Sequence, residues 1–275
     1  MRIFNVSPTC AAAQEPERLH CVLQAALDLS TSTKPFDSVT AAHLLNLLLH
    51  QEALQQALLR CAQEKSVSLQ LPDFIQPSDV SILEKNTLAV VLFLLTCLKA
   101  EVAEAETSLL VAAASCPLYG RAHCITAAMQ QLSTGSLHLQ AEWNRLVSDL
   151  IALCYRMSDV VSPVVQSSSP EGLIPMDTDT ETSSGLQKIL QEIQPRDTND
   201  FFDSPRELDT TSEEQLNTPQ PTSNGSEGEA YRVTAQMVLV CCWRSMKEVS
   251  MLLGELCQRM PLRTHTYRGL ITEEQ

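Results

Sequence analysis

The sequence predicts an all-α protein, and three observations carry that prediction. Leu and Ala dominate a chain of 275 residues that is 44% hydrophobic but only 4% aromatic, with eight glycines. Apolar residues recur at three- and four-residue steps through most of its length, the helical period. No segment alternates apolar and polar residues as a half-buried strand does. The length suffices for a sizeable core in one or two domains.

The elements follow in order. Residues 1–14 read as a flexible N-terminus and 15–161 as helix after helix. Leu19, Val22, Leu23, Ala26 and Leu27 give a first amphipathic face. Pro35 breaks the chain, and Asp37 or Ser38 is placed to cap a long helix running to about Lys65. Along it Leu44, Leu47, Leu54, Leu58 and Cys61 form the apolar stripe. Pro72 and Pro77 punctuate a loop, after which Ser78 caps a helix containing Leu83, Leu88, Val91, Leu92, Leu95 and Leu98. Shorter helices are expected at about 102–115 and 121–132, ended by Cys116-Pro117 and Gly135. A last one holds Trp143, Leu146, Val147, Leu150, Ile151 and Cys154. The residues leave a helical bundle and an α-solenoid both open, since no clean self-repeat is visible.

Charge changes abruptly at Ser162. Residues 162–229 contain fourteen acidic and three basic side chains, which is −11 of the net −14. Rich in Ser, Thr and Pro, this stretch cannot bury enough apolar surface to offset its ordering entropy, so it is expected to be a disordered acidic insert. Its Ser162, Ser169, Ser204 and Thr218 each precede Pro, and Ser212 precedes two glutamates. These five are candidate phosphorylation sites, where phosphate would add further negative charge.

Order is expected to return at 230–275. There Val238, Cys242, Ser245, Val249, Leu252, Leu256 and Met260 share one helix face, with Arg244, Glu248, Glu255 and Arg259 opposite. Gly254, costly inside a helix, reads as a point of close approach. The closing residues, with Thr272 as cap and Glu273 and Glu274 in a first turn, read as a helix begun and not finished, as in a piece of a longer protein.

Composition narrows function. Net charge of −14 disfavours a strongly basic nucleic-acid binder. The longest apolar run, 88–98, is too short for a membrane span, which needs roughly 18 residues. Ten cysteines without C-x-x-C pairs, mostly among helical apolar residues, fit free thiols in a reducing compartment, and a cytoplasmic protein. No P-loop, G-x-G-x-x-G, G-x-S-x-G or H-E-x-x-H run occurs, so no catalytic residue, cofactor site or metal site is assigned. His20 beside Cys21 and His123 beside Cys124 read as ordinary packing.

The sharpest local feature is Trp243 with Arg244 and Lys247 within about one helical turn. Trp and Arg anchor interfaces, and Arg and Lys contact phosphate. The alternative is Trp243 as a packed core residue, with the two cations as a solvated face.

Around this helix, "YRVTAQMVLVCCWRSMKEVSMLLGELCQRMPL", and above all its run "LVCCWRSMKEV" from Leu239, resembles the opening of the central region of the thyroid adenoma-associated protein family. The resemblance implies a HEAT/armadillo-like α-solenoid interrupted by the acidic insert. It implies a non-catalytic partner of an FtsJ-like methyltransferase, the two together methylating the ribose 2′-hydroxyl of nucleotide 32 in tRNA. S-adenosylmethionine is then expected on the partner enzyme, and Trp243, Arg244 and Lys247 become candidate contacts to enzyme or tRNA. An Arg-Arg-Ser-Ala-Gly motif, also implied, does not occur in this sequence. The alternative class is a solenoid adaptor for protein partners with no RNA role, distinguishable by salt-dependent RNA binding.

Overall fold

The computed structural model describes residues 8–71, 80–133, 137–166, 235–260 and 271, with the backbone alone at 8–15 and 235–236. Every described element longer than one residue is an α-helix. The expected disordered insert lies outside the described residues from 167 onward, as do Ser169, Ser204, Ser212, Thr218, Ser78, Gly135 and the Thr272 helix start.

Helix α1 spans Pro8–Leu29, so helical backbone begins inside the stretch expected to be a flexible tail. Its Leu23, Ala26 and Leu27 are buried as the stripe predicts, but Val22 is exposed. The expected long helix from Asp37 or Ser38 to Lys65 is instead two, α2 at Pro35–Leu48 and α3 at Leu54–Glu64. Pro35 occupies the first turn of α2, where its missing N–H and fixed φ cost nothing. Neither expected cap performs that role: Ser38 Oγ donates to the Pro35 carbonyl at 2.7 Å, and Asp37 accepts from Ser32 Oγ at 2.6 Å. The apolar stripe also sits differently. Ala41, Ala42, Leu45, Leu48 and Leu49 are buried, while Leu47 faces outward.

The turn between α2 and α3 is held from a distance. Asn86, on helix α4 (Ile82–Thr107), is buried and donates through Nδ2 to the carbonyls of Leu49 at 2.9 Å and Gln51 at 2.8 Å. Its Oδ1 accepts from Gln55 at 3.3 Å. One amide side chain thus satisfies the carbonyls that the interrupted helix leaves open.

The cap of α4 is Ser81, whose Oγ accepts from the Glu84 amide at 3.1 Å. Most of the 88–98 run is buried, so α4 touches neighbours on nearly all sides: α3, then α5 (Leu109–Ser115), α6 (Tyr119–Met129) and α7 (Gln140–Val165). The single helix expected at 102–115 is divided at Ser108, whose hydroxyl caps α5. Helix α7 runs past the expected boundary at 161. Ser162 and Pro163 lie in its last turn, and Gln166 donates to the Ser162 carbonyl at 2.9 Å. Ser162 is therefore a half-buried helical serine, and its reading as a site in an unstructured insert is corrected.

Helix α8 spans Ala235–Arg259 and packs on α5, α6 and α7, while α2 lies on α1 and α6. Two polar devices tie these layers. Glu84 Oε1 accepts from the amides of His138 and Leu139, each at 2.9 Å, and from the Trp143 indole at 3.3 Å. The acidic side chain of one helix start therefore fixes the segment that leads into another. Arg121 on α6 meets Glu101 on α4 at 2.6 Å, both buried. Gly120 lets α6 approach the end of α1, since a Cβ there would stand 2.2 Å from the Ser30 carbonyl oxygen. At Gly254, by contrast, a Cβ would meet nothing within 4 Å, so its reading as a point of close approach is corrected.

Among the described residues no helix is long and apolar enough to cross a membrane. The nine described cysteines are all free. Six are buried as expected, but Cys21 and Cys257 are exposed.

Candidate functional site

Helix α8 buries the face its spacing predicts. Val238, Cys242, Ser245, Val249, Leu252, Leu256 and Met260 are all inaccessible to solvent or nearly so. Burial pushes the Cys241 thiol up to about 11, so at neutral pH it is a protonated small hydrophobe.

The polar stripe that the sequence places opposite is largely a docking seam against α6. Glu248 is buried, with Oε2 3.0 Å from His123 Nδ1 and Oε1 3.3 Å from Lys247 Nζ. Arg259 Nη1 donates to the carbonyls of Met129 at 3.3 Å, Gln130 at 2.9 Å and Leu132 at 3.1 Å, the open end of α6. Glu255 pairs with Arg259 at 2.8 Å and accepts from Gln130 at 3.1 Å. A cation at a helix C-terminus complements both its free carbonyls and its dipole.

Burial raises Glu248, but the hydrogen bond with His123 and the nearby positive charges outweigh it and hold the carboxyl below its ordinary 4.5. A depressed folded value contributes stability that is present above the unfolded value and lost as pH falls through the folded one. The thermal midpoint is therefore expected to fall below about pH 4.5. Glu248→Gln is expected to show a shallower acid slope and a lower midpoint at neutral pH. Identical acid profiles for the two proteins would exclude this pair as a contributor.

The three residues singled out in the sequence are divided by the structure. Trp243 is 52% exposed, which overturns its reading as core; the buried tryptophan is Trp143. Lys247 shares the outer stripe one turn on, and Met251, 50% exposed, follows one turn further. Arg244 sits on the flank, half-buried, its guanidinium carbon 6.0 Å from the Tyr119 ring centroid, at the outer reach of a cation–π contact. Tyr119 is itself fixed by donating to the Thr33 carbonyl at 2.9 Å. Met251 carries the same four-residue step as Trp243 and Lys247, the one signal that would have found it.

Neither His–Cys pair adjacent in sequence is a pair in space. His123 turns to Glu248, and Cys124 Sγ lies 3.8 Å from the Ser38 carbonyl. His20 turns to α3: Nδ1 is 3.6 Å from Cys61 Sγ, and Nε2 is 3.1 Å from Glu64 Oε2. The order thiol, imidazole, carboxylate matches a nucleophilic triad, but Cys61 is fully buried and burial pushes its thiol up to about 11. A nucleophile needs an accessible thiolate, so this arrangement offers no nucleophilic catalysis.

Comparison with known proteins finds relatives of this chain. The family described as THADA/TRM732, DUF2428, matches residues 145–275, which include most of α7 and all of α8. The chain is 49% identical over 284 residues to the human tRNA (32-2'-O)-methyltransferase regulator THADA, covering 99% of this chain and 14% of that protein. The dog protein of the same name is 48% identical with the same coverage. The Drosophila melanogaster one is 36% identical over 146 residues, 53% of this chain and 7% of its own length. No solved structure matches the chain.

Proposed function

The chain belongs to the thyroid adenoma-associated protein (THADA) family, and from that premise we propose that it acts as a non-catalytic scaffold in 2′-O-ribose methylation of tRNA nucleotide 32. The name of these relatives, tRNA (32-2'-O)-methyltransferase regulator, supports a role beside an enzyme rather than as one. The proposed partner is an FtsJ-like methyltransferase that carries S-adenosylmethionine, in the cytoplasm. The helices described above are proposed to form part of a HEAT/armadillo-like solenoid, a form that presents extended surfaces to an RNA or a small enzyme. The chain spans 14% of the length of the mammalian relatives, so this role is proposed for the longer protein of which such a region is part.

The observation that supports the reading best is the exposed Trp243 on α8, inside the region matching the family. A half-exposed tryptophan flanked by Lys247 and Met251 has the make-up of an interface anchor. Reversing Arg244 and Lys247 is a poor probe, because Arg244 covers Tyr119 and Lys247 is paired with Glu248. Trp243→Ala in the full-length protein is the cleaner one. It is expected to cost no more than about 1 kcal/mol of stability, since half of the side chain is already in water. Co-purification of the methyltransferase and methylation of nucleotide 32 are expected to fall together. Undiminished methylation would remove this face from the enzyme–tRNA contact. Loss of a protein partner, with salt-dependent tRNA binding and methylation intact, would favour the adaptor reading.

A further inference from the structure

The cluster of His20, Cys61 and Glu64 is chemically richer than the packing of a buried histidine requires. Cys61 and Glu64 stand three residues apart on α3, one face of one helical turn, and α1 lays His20 against that face. An imidazole nitrogen, the thiol sulfur and a carboxylate oxygen lie within 4.8 Å of one another. The thiol lies 3.6 Å from Nδ1 and the carboxylate 3.1 Å from Nε2, whereas the edges of a zinc tetrahedron with bonds of 2.0–2.3 Å are about 3.3–3.8 Å, so loading requires the His20 ring to turn one nitrogen toward both other donors as they close. We propose that His20, Cys61 and Glu64 form a structural site for a divalent borderline-soft cation, zinc above all, clamping α1 to α3.

The chemistry of the donors fits. One thiolate and one carboxylate cancel the charge of a dication, and a neutral imidazole adds a third ligand without excess charge. Glu64 is partly open to solvent, so an ion and a fourth, water ligand reach the site from that side. The neighbouring cations are already engaged. Arg60 pairs with Glu17 at 2.8 Å and with the other oxygen of Glu64 at 3.2 Å, and Lys65 pairs with Asp28 at 2.7 Å. Arg60 therefore orients the carboxylate from behind, as outer partners of metal ligands do, and leaves Oε2 facing His20. On binding, the Cys61 sulfur–proton bond breaks, the proton leaves to solvent, and the sulfur lone pair goes to the metal. Nothing is oxidised or reduced, and binding weakens as pH falls.

The test uses the full chain, stripped with a chelator under reducing conditions and titrated with Co2+ and then Zn2+. Wild type is expected to take up one cobalt ion with a thiolate-to-cobalt charge-transfer band, displaced by zinc, and a raised thermal midpoint when loaded. Cys61→Ala is expected to lose the band. Glu64→Gln, at a residue half open to water, keeps the fold and is expected to bind at least about tenfold more weakly. Absence of the band in wild type would overturn the proposal. So would its persistence in Cys61→Ala, or an unchanged affinity in Glu64→Gln.

Discussion

Glu84→Ala is expected to destabilise the protein by about 3–5 kcal/mol, the range for removing one side of a buried charged contact. The carboxylate accepts from two backbone amides ahead of α7 and from the Trp143 indole, and its second oxygen lies 3.4 Å from His138 Nδ1. Trp143 has no exposed surface, so its N–H would be left without an acceptor. The segment leading into α7 would lose the acceptor for its two amides together with its tie to α4. Glu84→Gln keeps an acceptor oxygen while removing the charge, and is expected to fall between wild type and Ala. Urea midpoints for the three proteins check the order. An Ala variant as stable as wild type would show that solvent replaces the carboxylate.

Gly120→Ala is the second large effect. The added methyl would stand 2.2 Å from a main-chain oxygen of Ser30, and backbone cannot swing aside as a flexible side chain does. Separating α6 from the end of α1 would also strain Arg121, which is bound to Glu101 and lies 3.4 Å from Ser30 Oγ. The expected cost is at least about 3 kcal/mol, the top of the usual overpacking range. In a domain of roughly this size that lowers the thermal midpoint by about 6–12 °C. A midpoint within about 2 °C of wild type would mean that the two helices separate freely.

What the sequence made legible is the side of the argument that period alone decides. The buried stripe of α8, from Val238 to Met260, follows from its four- and three-residue steps, because a helix that docks at all docks by its apolar side. The apolar run of α4 is likewise central. Period does not reveal where a helix stops when a distant side chain takes up the loose carbonyls. The break after α2 depends on Asn86, more than thirty residues away, and the leucine pattern continues across it. Nor does period say how wide a stripe the neighbours cover. Trp243 is next to buried Cys242 in sequence but about 100° around the helix, enough to carry it from seam to solvent. The partners of Glu84, His20 and His123 arise from long-range packing and leave no local mark.

The docking of α8 has a consequence for how the region tolerates change. Residues 167–234 connect α7 to α8, yet the described contacts of α8 run to α5, α6 and α7. Thermodynamically α8 is a ligand of the groove formed by α5, α6 and α7, carried on the same chain so that its association is intramolecular. Substitutions at Arg259, Glu248 or the buried stripe act on the affinity of this helix for its groove, and so decide whether it docks at all.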